Sequence, residues 1–310
     1  MGDATMAWLY FIVLGPVAAG IVLVVVWWLI WGRKMGLPAS TAGASALAAG
    51  LILLLVGVLV RLLAGPLALV LHIPTELWGW YSDYRFTYPL VLGILGLVIV
   101  ALPVRARSGR GTAELAPRTP LSYAKGWWFI TPAVVLALIV AFTVAAGAAS
   151  RPEETTGRYT VYWVDLGGER AMGTGIYGWF YSVPCLILIG VMIVIASIDL
   201  VLIARPALDP DHERDAHVRT VRTRNVVLIA TGALLVHVGL IFGSLAATAS
   251  VRSSFSTSEG SVAFWTPFAA LQPTLVGASS VAAGLGFMLW VAVAVSAIPP
   301  RRRRPTATRS

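Results

Sequence analysis

TAGASALAAGLILLLVGVLVRLLA, which occupies residues 41–64, decides the fold class of this 310-residue chain. Arg61 is the only charged residue in it. About 20 mostly apolar residues in a helix span the hydrocarbon core of a bilayer, because the helix satisfies its own backbone hydrogen bonds there. We therefore predict a transmembrane helix over these residues.

Six further stretches have the same character, and together they define the predicted architecture. They are residues 7–31, 88–104, 127–149, 177–204, 226–249 and 273–298. A shorter apolar segment, residues 65–73, cannot cross a bilayer, and we expect it to lie at the interface or to re-enter the membrane. The predicted fold is an all-α polytopic integral membrane protein, a seven-transmembrane-helix bundle over residues 1–299 with a basic cytoplasmic tail over 300–310.

The overall composition excludes a soluble domain. Hydrophobic residues make up 58% of the chain and charged residues 12%, and the mean hydropathy is +0.82. A soluble domain carries about 25% charged residues, because its surface must face water. The same figures exclude a disordered chain, and the single cysteine, Cys185, excludes a disulfide scaffold.

The distribution of Lys and Arg predicts the orientation, because short cytoplasmic loops keep positive charge. With the N-terminus outside, 17 of the 23 Lys and Arg residues fall on the cytoplasmic side and five on the outer side. We therefore predict the N-terminus outside and the C-terminus inside. The strong preference for Arg over Lys, with abundant Ala and Gly, is typical of a GC-rich bacterial genome, so we expect the cytoplasmic membrane of a bacterium.

The positive charge of the inner face predicts contacts with lipid. The last span is followed by a run of four arginines, Arg301, Arg302, Arg303 and Arg304. We expect this run to contact anionic lipid headgroups, which attract basic segments at the cytoplasmic leaflet; a tail that docks another protein is the alternative. Because topology and lipid account for the basic charge, no nucleic-acid partner is predicted, and other membrane proteins are further candidate partners.

The order of the spans allows a 3+1+3 repeat, in which spans 1–3 and 5–7 enter the membrane in the same direction. AAGLILLLVGVLV (residues 48–60) aligns with ATGALLVHVGLIF (residues 230–242) with identities at five positions. Transporters are often built from such repeats. Apolar spans also match one another by chance, so both interpretations stay open.

The predicted outer loops are rich in aromatic residues. The first one, residues 76–88, reads ELWGWYSDYRFTY, and its candidates for binding a ligand or partner are Trp78, Trp80, Tyr81, Asp83 and Arg85. The simpler alternative is an aromatic belt at the level of the headgroups. In the second one, residues 158–174, a β-branched and aromatic run ends at two glycines, which predicts a small β-hairpin on the outer face.

His237 is the polar residue expected deepest in the membrane. It lies 12 residues into the sixth span, and polar groups at this depth are costly and need a partner or a function. A hydrogen bond between helices would satisfy a neutral imidazole. A proton relay or a substrate contact is the alternative, because histidine exchanges a proton near neutral pH.

Arg61 and Asp199 are the two other polar candidates within the spans. Arg61 lies near the outer end of span 2, where its side chain can reach the headgroups; alternatively, it faces an outer vestibule and pairs with Glu76 or Asp83. Asp199 lies near the inner end of span 5, where we expect it to cap the helix or pair with Arg205. A position on an ion path is the alternative.

Motifs for catalysis and for cofactors are missing from the sequence. It has no phosphate-binding loop, no H-E-x-x-H, no nucleophile elbow and no C-x-x-C-H haem site. His212 and His217 are five residues apart, so on a helix they point in different directions and do not predict a metal site. We interpret the inner loop that contains them, residues 205–224, as a charged, solvated juxtamembrane segment. We therefore predict no catalytic residue, metal or cofactor.

Two function classes remain open after these exclusions, with an enzyme as a distant third. The first is a non-enzymatic membrane component, such as a sensor, a scaffold or an accessory subunit, that works through its aromatic outer loops. The second is a small-solute transporter or channel, with a path near His237 and an outer vestibule near Arg61. A solvent-filled cavity that reaches His237 would favour transport, and a solid apolar core would favour the membrane component.

Overall fold

The computed structural model describes residues 3–30, 36–38, 40–71, 73–102, 122–167, 170–204, 212–257 and 260–299. These residues are mostly helical, and six of the helices are long and apolar enough to cross a membrane. The chain is thus an all-α polytopic membrane protein in its general architecture. The arginine run 301–304 lies outside the described residues.

Eight α-helices and five short strands make up the described fold. The helices are α1 (Asp3–Ile30), α2 (Thr41–Ala64), α3 (Thr75–Tyr84), α4 (Tyr88–Ala101), α5 (Ile130–Ala149), α6 (Trp179–Ala204), α7 (His212–Ala249) and α8 (Gln272–Val295). The strands are β1 (Arg151–Pro152), β2 (Tyr159–Gly167), β3 (Arg170–Gly175), β4 (Arg252–Thr257) and β5 (Gly260–Trp265). The apolar segment after α2 forms one short 3₁₀ turn, Pro66–Leu69, as its length requires.

The α3–α4 pair accounts for the difference between six and seven spans. Helix α4 has 14 residues and is about 21 Å long, too short to cross a bilayer by itself. It is bent by 75° from α3, and the two together qualify as one broken span or as a re-entrant loop. The bend has a local cause, because Pro89 lacks the N–H that would continue the helix back to Arg85. We call residues Arg85–Thr87 the elbow.

Helix α7 is the centre of the bundle and packs against α4, α5, α6 and α8. Its closest neighbour is α8, and glycines let the two backbones approach. A Cβ atom on Gly232 would lie 2.6 Å from the ring of Trp290, and one on Gly286 would lie 2.6 Å from the side chain of Val236. The indole of Trp290 and the ring of Phe287 are fully buried beside this contact. Small residues thus make this seam dense, as is usual between membrane helices.

Two small antiparallel sheets lie at one end of the bundle, which we call the hairpin end. Strands β1, β2 and β3 form the first sheet, and the pairing of β2 with β3 confirms the hairpin predicted for residues 158–174. Strands β4 and β5 form a second hairpin that was not predicted. The hydroxyl of Thr248, near the end of α7, donates to the carbonyl of Gly175 at 2.7 Å and ties the first sheet to the bundle.

The opposite end, which we call the basic end, corrects one interpretation of the sequence. From the sequence, residues 205–224 were interpreted as a solvated juxtamembrane segment. In the structure, α7 begins at His212, and two of its arginines are buried. Arg219 is 5% exposed and donates to Asp215 at 2.7 Å. The guanidinium of Arg224 lies 5.4 Å from the ring centre of Trp27. The interpretation was wrong because a 38-residue helix is longer than a bilayer, so its first turns pack against the ends of other helices.

Candidate functional site

A cavity of about 440 Å³ opens at the hairpin end, between α1, α2, α3, α7, α8 and the start of α4. We call it the vestibule, and its volume is in the range of small-molecule sites. Its polar lining comes from Arg61, Tyr81, Tyr88, Ser250, Gln272, Ser279 and Ser280. Along α7 and the residue that follows it, the cavity extends from Leu240 to Ser250, which is about 15 Å along the helix axis. Arg61, near which the sequence hypothesis expected an outer vestibule, thus lines a cavity.

Arg61 brings a positive charge into the vestibule. Its Nη1 donates to the carbonyl of Val13 at 3.3 Å, and its guanidinium lies 5.3 Å from the ring centre of Phe287. Its Nε is buried without a hydrogen-bond partner. None of the described carboxylates forms an ion pair with it, and Asp83, one of its two expected partners, pairs instead with Arg158 at 2.9 Å. The vestibule therefore holds a cation whose charge is not neutralised by the described part of the protein.

A second cavity of about 600 Å³ lies on the other side of Tyr81 and Tyr88, which line both cavities. We call it the apolar groove. Its walls are Val56 and Val60 of α2, Val91 and Leu92 of α4, and Pro184, Ile187 and Leu188 of α6. Trp80, Tyr81 and Tyr84 of α3 cover it toward the hairpin end. The two tyrosines thus form a partition between a polar cavity and an apolar one.

Arg85 places a second cation at the apolar groove. Its guanidinium lies 4.9 Å from the ring centre of Phe86 and 5.6 Å from that of Tyr181, and its Nε is buried without a partner. It forms no ion pair with any carboxylate that the structure describes. Arg61 and Arg85 both act electrostatically on the hydroxyl of Tyr81. The partition therefore borders two cations that no carboxylate of the described residues neutralises.

The five aromatic-loop candidates all lie on α3 or at the elbow, and three of them line a cavity. Trp80, Tyr81 and Arg85 line the apolar groove, and Tyr81 also lines the vestibule. Trp78 packs 5.6 Å from Tyr81, ring centre to ring centre, and is itself largely exposed. Asp83 faces the first sheet through Arg158. The helix thus turns some candidates toward the cavities and others toward solvent or the headgroups.

His237 lies in the core of the bundle. Along α7 toward the basic end, it comes after Leu240, the last residue of α7 that lines the vestibule. Its exposure is 0%, its Nδ1 lies 2.9 Å from the carbonyl oxygen of Phe86, and its Nε2 lies 3.4 Å from the hydroxyl of Tyr177. A carbonyl can only accept, so Nδ1 carries the proton and Nε2 accepts from the tyrosine. Both ring nitrogens therefore have partners, and the imidazole fastens the elbow to α7.

The packing between His237 and the basic end of the bundle is dense. A Cβ atom on Gly93 of α4 would lie 2.5 Å from Ala233 of α7, and one on Gly57 of α2 would lie 2.8 Å from the ring of Phe287. Together with the α7–α8 seam, these contacts form what we call the packed layer. In this conformation, solvent does not contact His237, and the vestibule stops short of it.

Asp199 lies near the basic end, far along α6 from the vestibule. It is buried next to Arg222 and Asn225, which line a small space of about 10 Å³ together with it. The Oδ2 of Asp199 and the Oδ1 of Asn225 have no hydrogen-bond partner. The space has about the size of one water molecule, which could bridge the two. The predicted partner Arg205 lies outside the described residues.

Several vestibule residues were missed by sequence reasoning. Tyr88 comes from α4, whereas Gln272 and Ser279 come from α8, and Ser279 donates to the carbonyl of Gly239 on α7 at 2.7 Å. The pair of serines at positions 279 and 280 in an otherwise apolar span was an available signal. No group of three His, Cys, Asp or Glu residues that could hold a metal occurs in the described ranges.

Comparisons with protein-family models, with curated proteins and with solved structures find no match for this chain.

The ion pair between Asp83 and Arg158 gives a first testable prediction. The side chain of Asp83 is 34% exposed and that of Arg158 is 43% exposed, so water screens the attraction between their charges. We expect Asp83→Asn to lower the free energy of unfolding by less than about 1 kcal/mol, measured by thermal unfolding in mild detergent. Arg158→Gln is the matched variant, and the double variant completes the cycle. A loss of several kcal/mol would mean that α3 is held rigidly by the first sheet.

Proposed function

We propose that this protein is a non-enzymatic membrane component, a sensor or accessory subunit, that binds a ligand in the vestibule without carrying it across the membrane. The observation that supports this proposal is the vestibule itself. It holds Arg61, which pairs with none of the carboxylates that the structure describes, yet it stops before the packed layer. A charged cavity that opens at one end of the bundle and ends inside it suits a receptor, whereas a transporter needs a continuous path across the membrane.

The proposal includes an orientation and a span count. We propose seven spans, with the α3–α4 pair as the third, the N-terminus outside and the C-terminus in the cytoplasm of a bacterium. The hairpin end would then be extracytoplasmic, which agrees with the 17 basic residues assigned to the other side. The 3+1+3 repeat stays a prediction.

Helix α3 is the element best suited to report an occupied vestibule. It presents Trp78 and Trp80 to its surroundings, and none of its residues is fully buried. Through Tyr81 it also lines the vestibule, so a ligand there contacts the same helix that a partner would meet. Other membrane proteins are the proposed partners, and this aromatic surface is their proposed contact.

A transporter or channel is the second candidate, and the vestibule near Arg61 is the observation that favours it. The complete burial of His237 weighs against it, because a path near this residue would expose its imidazole. Opening such a path would require His237 to release the carbonyl of Phe86.

Reconstituted full-length protein can distinguish the two candidates. Liposomes loaded with labelled inorganic phosphate should lose it no faster with the protein than without it. A faster release that Arg61→Gln abolishes would overturn the proposal and establish transport.

Co-purification provides the positive test. A membrane protein that accompanies the wild type in mild detergent should be lost from the Trp78→Ala, Trp80→Ala double variant. It should be kept by Val194→Ala, which alters an apolar residue on α6 that lies outside both cavities and is 58% exposed, against 63% for Trp80. A partner that still co-purifies with the double variant would contradict this part of the proposal.

A further inference from the structure

We propose that the vestibule binds a small amphipathic carboxylate, an organic anion with one negative charge and an apolar body, and that Arg61 binds its carboxylate group. This inference rests on the proposed function, because it names the class of ligand that the receptor binds. The apolar groove and Arg85 have no part in this site.

The lining of the vestibule determines the sign of the ligand's charge. Among the described residues that line the cavity, Arg61 is the one ionised side chain, and the other polar groups are neutral hydroxyls and an amide. Arg61 forms no ion pair with a described carboxylate. A cation within a span is costly, so an anion bound beside it would stabilise the site. The vestibule therefore favours a ligand with a negative charge.

A single guanidinium also limits the size of that charge. It neutralises one carboxylate, and its N–H groups can donate to both carboxylate oxygens. A phosphate monoester carries a charge of about −1.5 to −2 at pH 7, so one arginine would leave it only partly neutralised. Because Arg61 is the one cation of the described lining, a carboxylate matches the site better than a phosphate monoester.

Arg61 is held in position on the cavity wall by several contacts. Its Nη1 donates to the carbonyl of Val13 at 3.3 Å, and its guanidinium lies 5.3 Å from the ring centre of the fully buried Phe287. The guanidinium also interacts with the hydroxyls of Tyr81 and Tyr88. A cation that is already positioned loses little conformational freedom when it binds an anion, which favours affinity.

Two serines of the lining favour binding of the carboxylate at Arg61 rather than elsewhere. Ser279 donates its proton to the carbonyl of Gly239 at 2.7 Å, and Ser250 donates its proton to the carbonyl of Ala247 at 2.7 Å. Both hydroxyls are therefore left to accept, as carboxylate oxygens do. Arg61, in contrast, can only donate, so the carboxylate should bind on its side of the cavity.

The apolar part of the ligand follows from the size and the other walls of the cavity. The vestibule has a volume of about 440 Å³, many times the roughly 30 Å³ that one water molecule occupies in the liquid. Ile12, Val13 and Pro16 of α1 and Leu240 and Ala246 of α7 supply apolar lining. Each methylene group that leaves water for such a surface favours binding. A carboxylate with an apolar body therefore uses more of this cavity than a small inorganic anion does.

Protection of a cysteine in the vestibule of the full-length protein provides the test. Ala247 is exposed and lines the cavity, so a bound ligand should slow the reaction of Ala247→Cys with a membrane-impermeant maleimide. The probes are hexanoate, its uncharged analogue hexanamide, and acetate, and the concentration that halves the labelling rate is measured for each. Ser254→Cys, on β4 and outside both cavities, is the control whose labelling no probe should change.

We expect hexanoate to protect Ala247→Cys at a concentration at least about tenfold lower than hexanamide, because only the carboxylate forms a charge-assisted contact with Arg61. Hexanoate should also protect at a concentration at least about tenfold lower than acetate, because acetate lacks the methylene groups that the apolar walls bury.

Variants in the Ala247→Cys background assign the preference for charge to one residue. Arg61→Gln should raise the protective concentration of hexanoate by about tenfold or more and that of hexanamide by less than about twofold. Hexanamide thus reports whether the variant keeps the cavity. Arg85→Gln is the matched control, since it removes a cation that lines only the apolar groove, and it should change hexanoate protection by less than about threefold.

Three results would overturn the inference. If no probe protects Ala247→Cys, or if hexanoate and hexanamide protect equally with Arg61 in place, no carboxylate site exists in the vestibule. If Arg61→Gln and Arg85→Gln act alike on hexanoate, Arg61 does not bind the carboxylate. If acetate protects as well as hexanoate, the ligand is a small anion without an apolar body. These results would leave the proposed function standing, because the proposed function fails instead on accelerated release of phosphate from liposomes.

Discussion

Gly232→Ala is expected to lower the free energy of unfolding by about 2 kcal/mol or more, although it adds a single methyl group. The added Cβ would lie 2.6 Å from both Cδ1 and Nε1 of Trp290. The indole is fully buried and therefore cannot turn away. Either the ring or the two helices must shift.

The loss should be large because the indole has several roles in the packed layer. Its Nε1 donates to the carbonyl of Ile229 at 3.4 Å, and its ring packs edge to face on Phe287 at 5.4 Å between ring centres. Displacing the ring would weaken both contacts. Interiors are packed as densely as crystals, so little free volume can absorb the change.

Gly190→Ala is the matched control for this prediction. Gly190 lies within α6, and a Cβ atom there would meet nothing within 4 Å. The gain in helix propensity is the same in both variants, so the difference between them isolates the packing. Thermal unfolding in detergent should leave Gly190→Ala within about 0.5 kcal/mol of the wild type. Equal stabilities of the two variants would contradict a packed layer.

His237→Ala is the second large effect that we expect, with a loss of about 3 kcal/mol in the free energy of unfolding. The substitution leaves a cavity in the core. It also leaves the carbonyl of Phe86 and the hydroxyl of Tyr177 without the partner that each has now. Since Phe86 lies in the elbow, the α3–α4 pair should loosen from α7.

His237→Gln should recover part of this loss, because its amide has both a donor and an acceptor for the same two partners. Hydrogen exchange of the elbow amides reports the loosening, which should be fast in His237→Ala and intermediate in His237→Gln. If His237→Ala is as stable as the wild type, the imidazole does not hold the elbow. A functional role for His237 in transport would then become the better interpretation.

The helices could be predicted from the sequence wherever one uninterrupted apolar stretch forms one span. Helix α2 covers residues 41–64, as its apolar length indicated. The third span was predicted as one helix over residues 88–104, whereas the structure has α4 and, bent from it, α3. Apolar length alone does not reveal such a bend, but Pro89 after an aromatic polar run was the available signal.

The candidate site could be predicted only in part, for a physical reason. Arg61 was recognisable because a charge in a span is costly and therefore conspicuous. Its expected partner Asp83 pairs instead with Arg158, which is 75 residues away in the chain. Tyr88 and Ser279 come together in the vestibule only through the packing of α4 and α8 around α7. Contacts of this kind have no local signature.

Thiol accessibility along α7 tests most directly whether the vestibule ends at a closed layer. A single cysteine replaces Ala247, which is exposed in the vestibule, or Val236, which is fully buried next to His237. The native Cys185 is buried and serves as an internal unreactive control. A membrane-impermeant maleimide is applied to each face of sealed vesicles in turn. We expect Ala247→Cys to react from the face of the hairpin end only and Val236→Cys to react from neither face. Reaction of Val236→Cys from either face would reveal a water path through the packed layer and contradict the account.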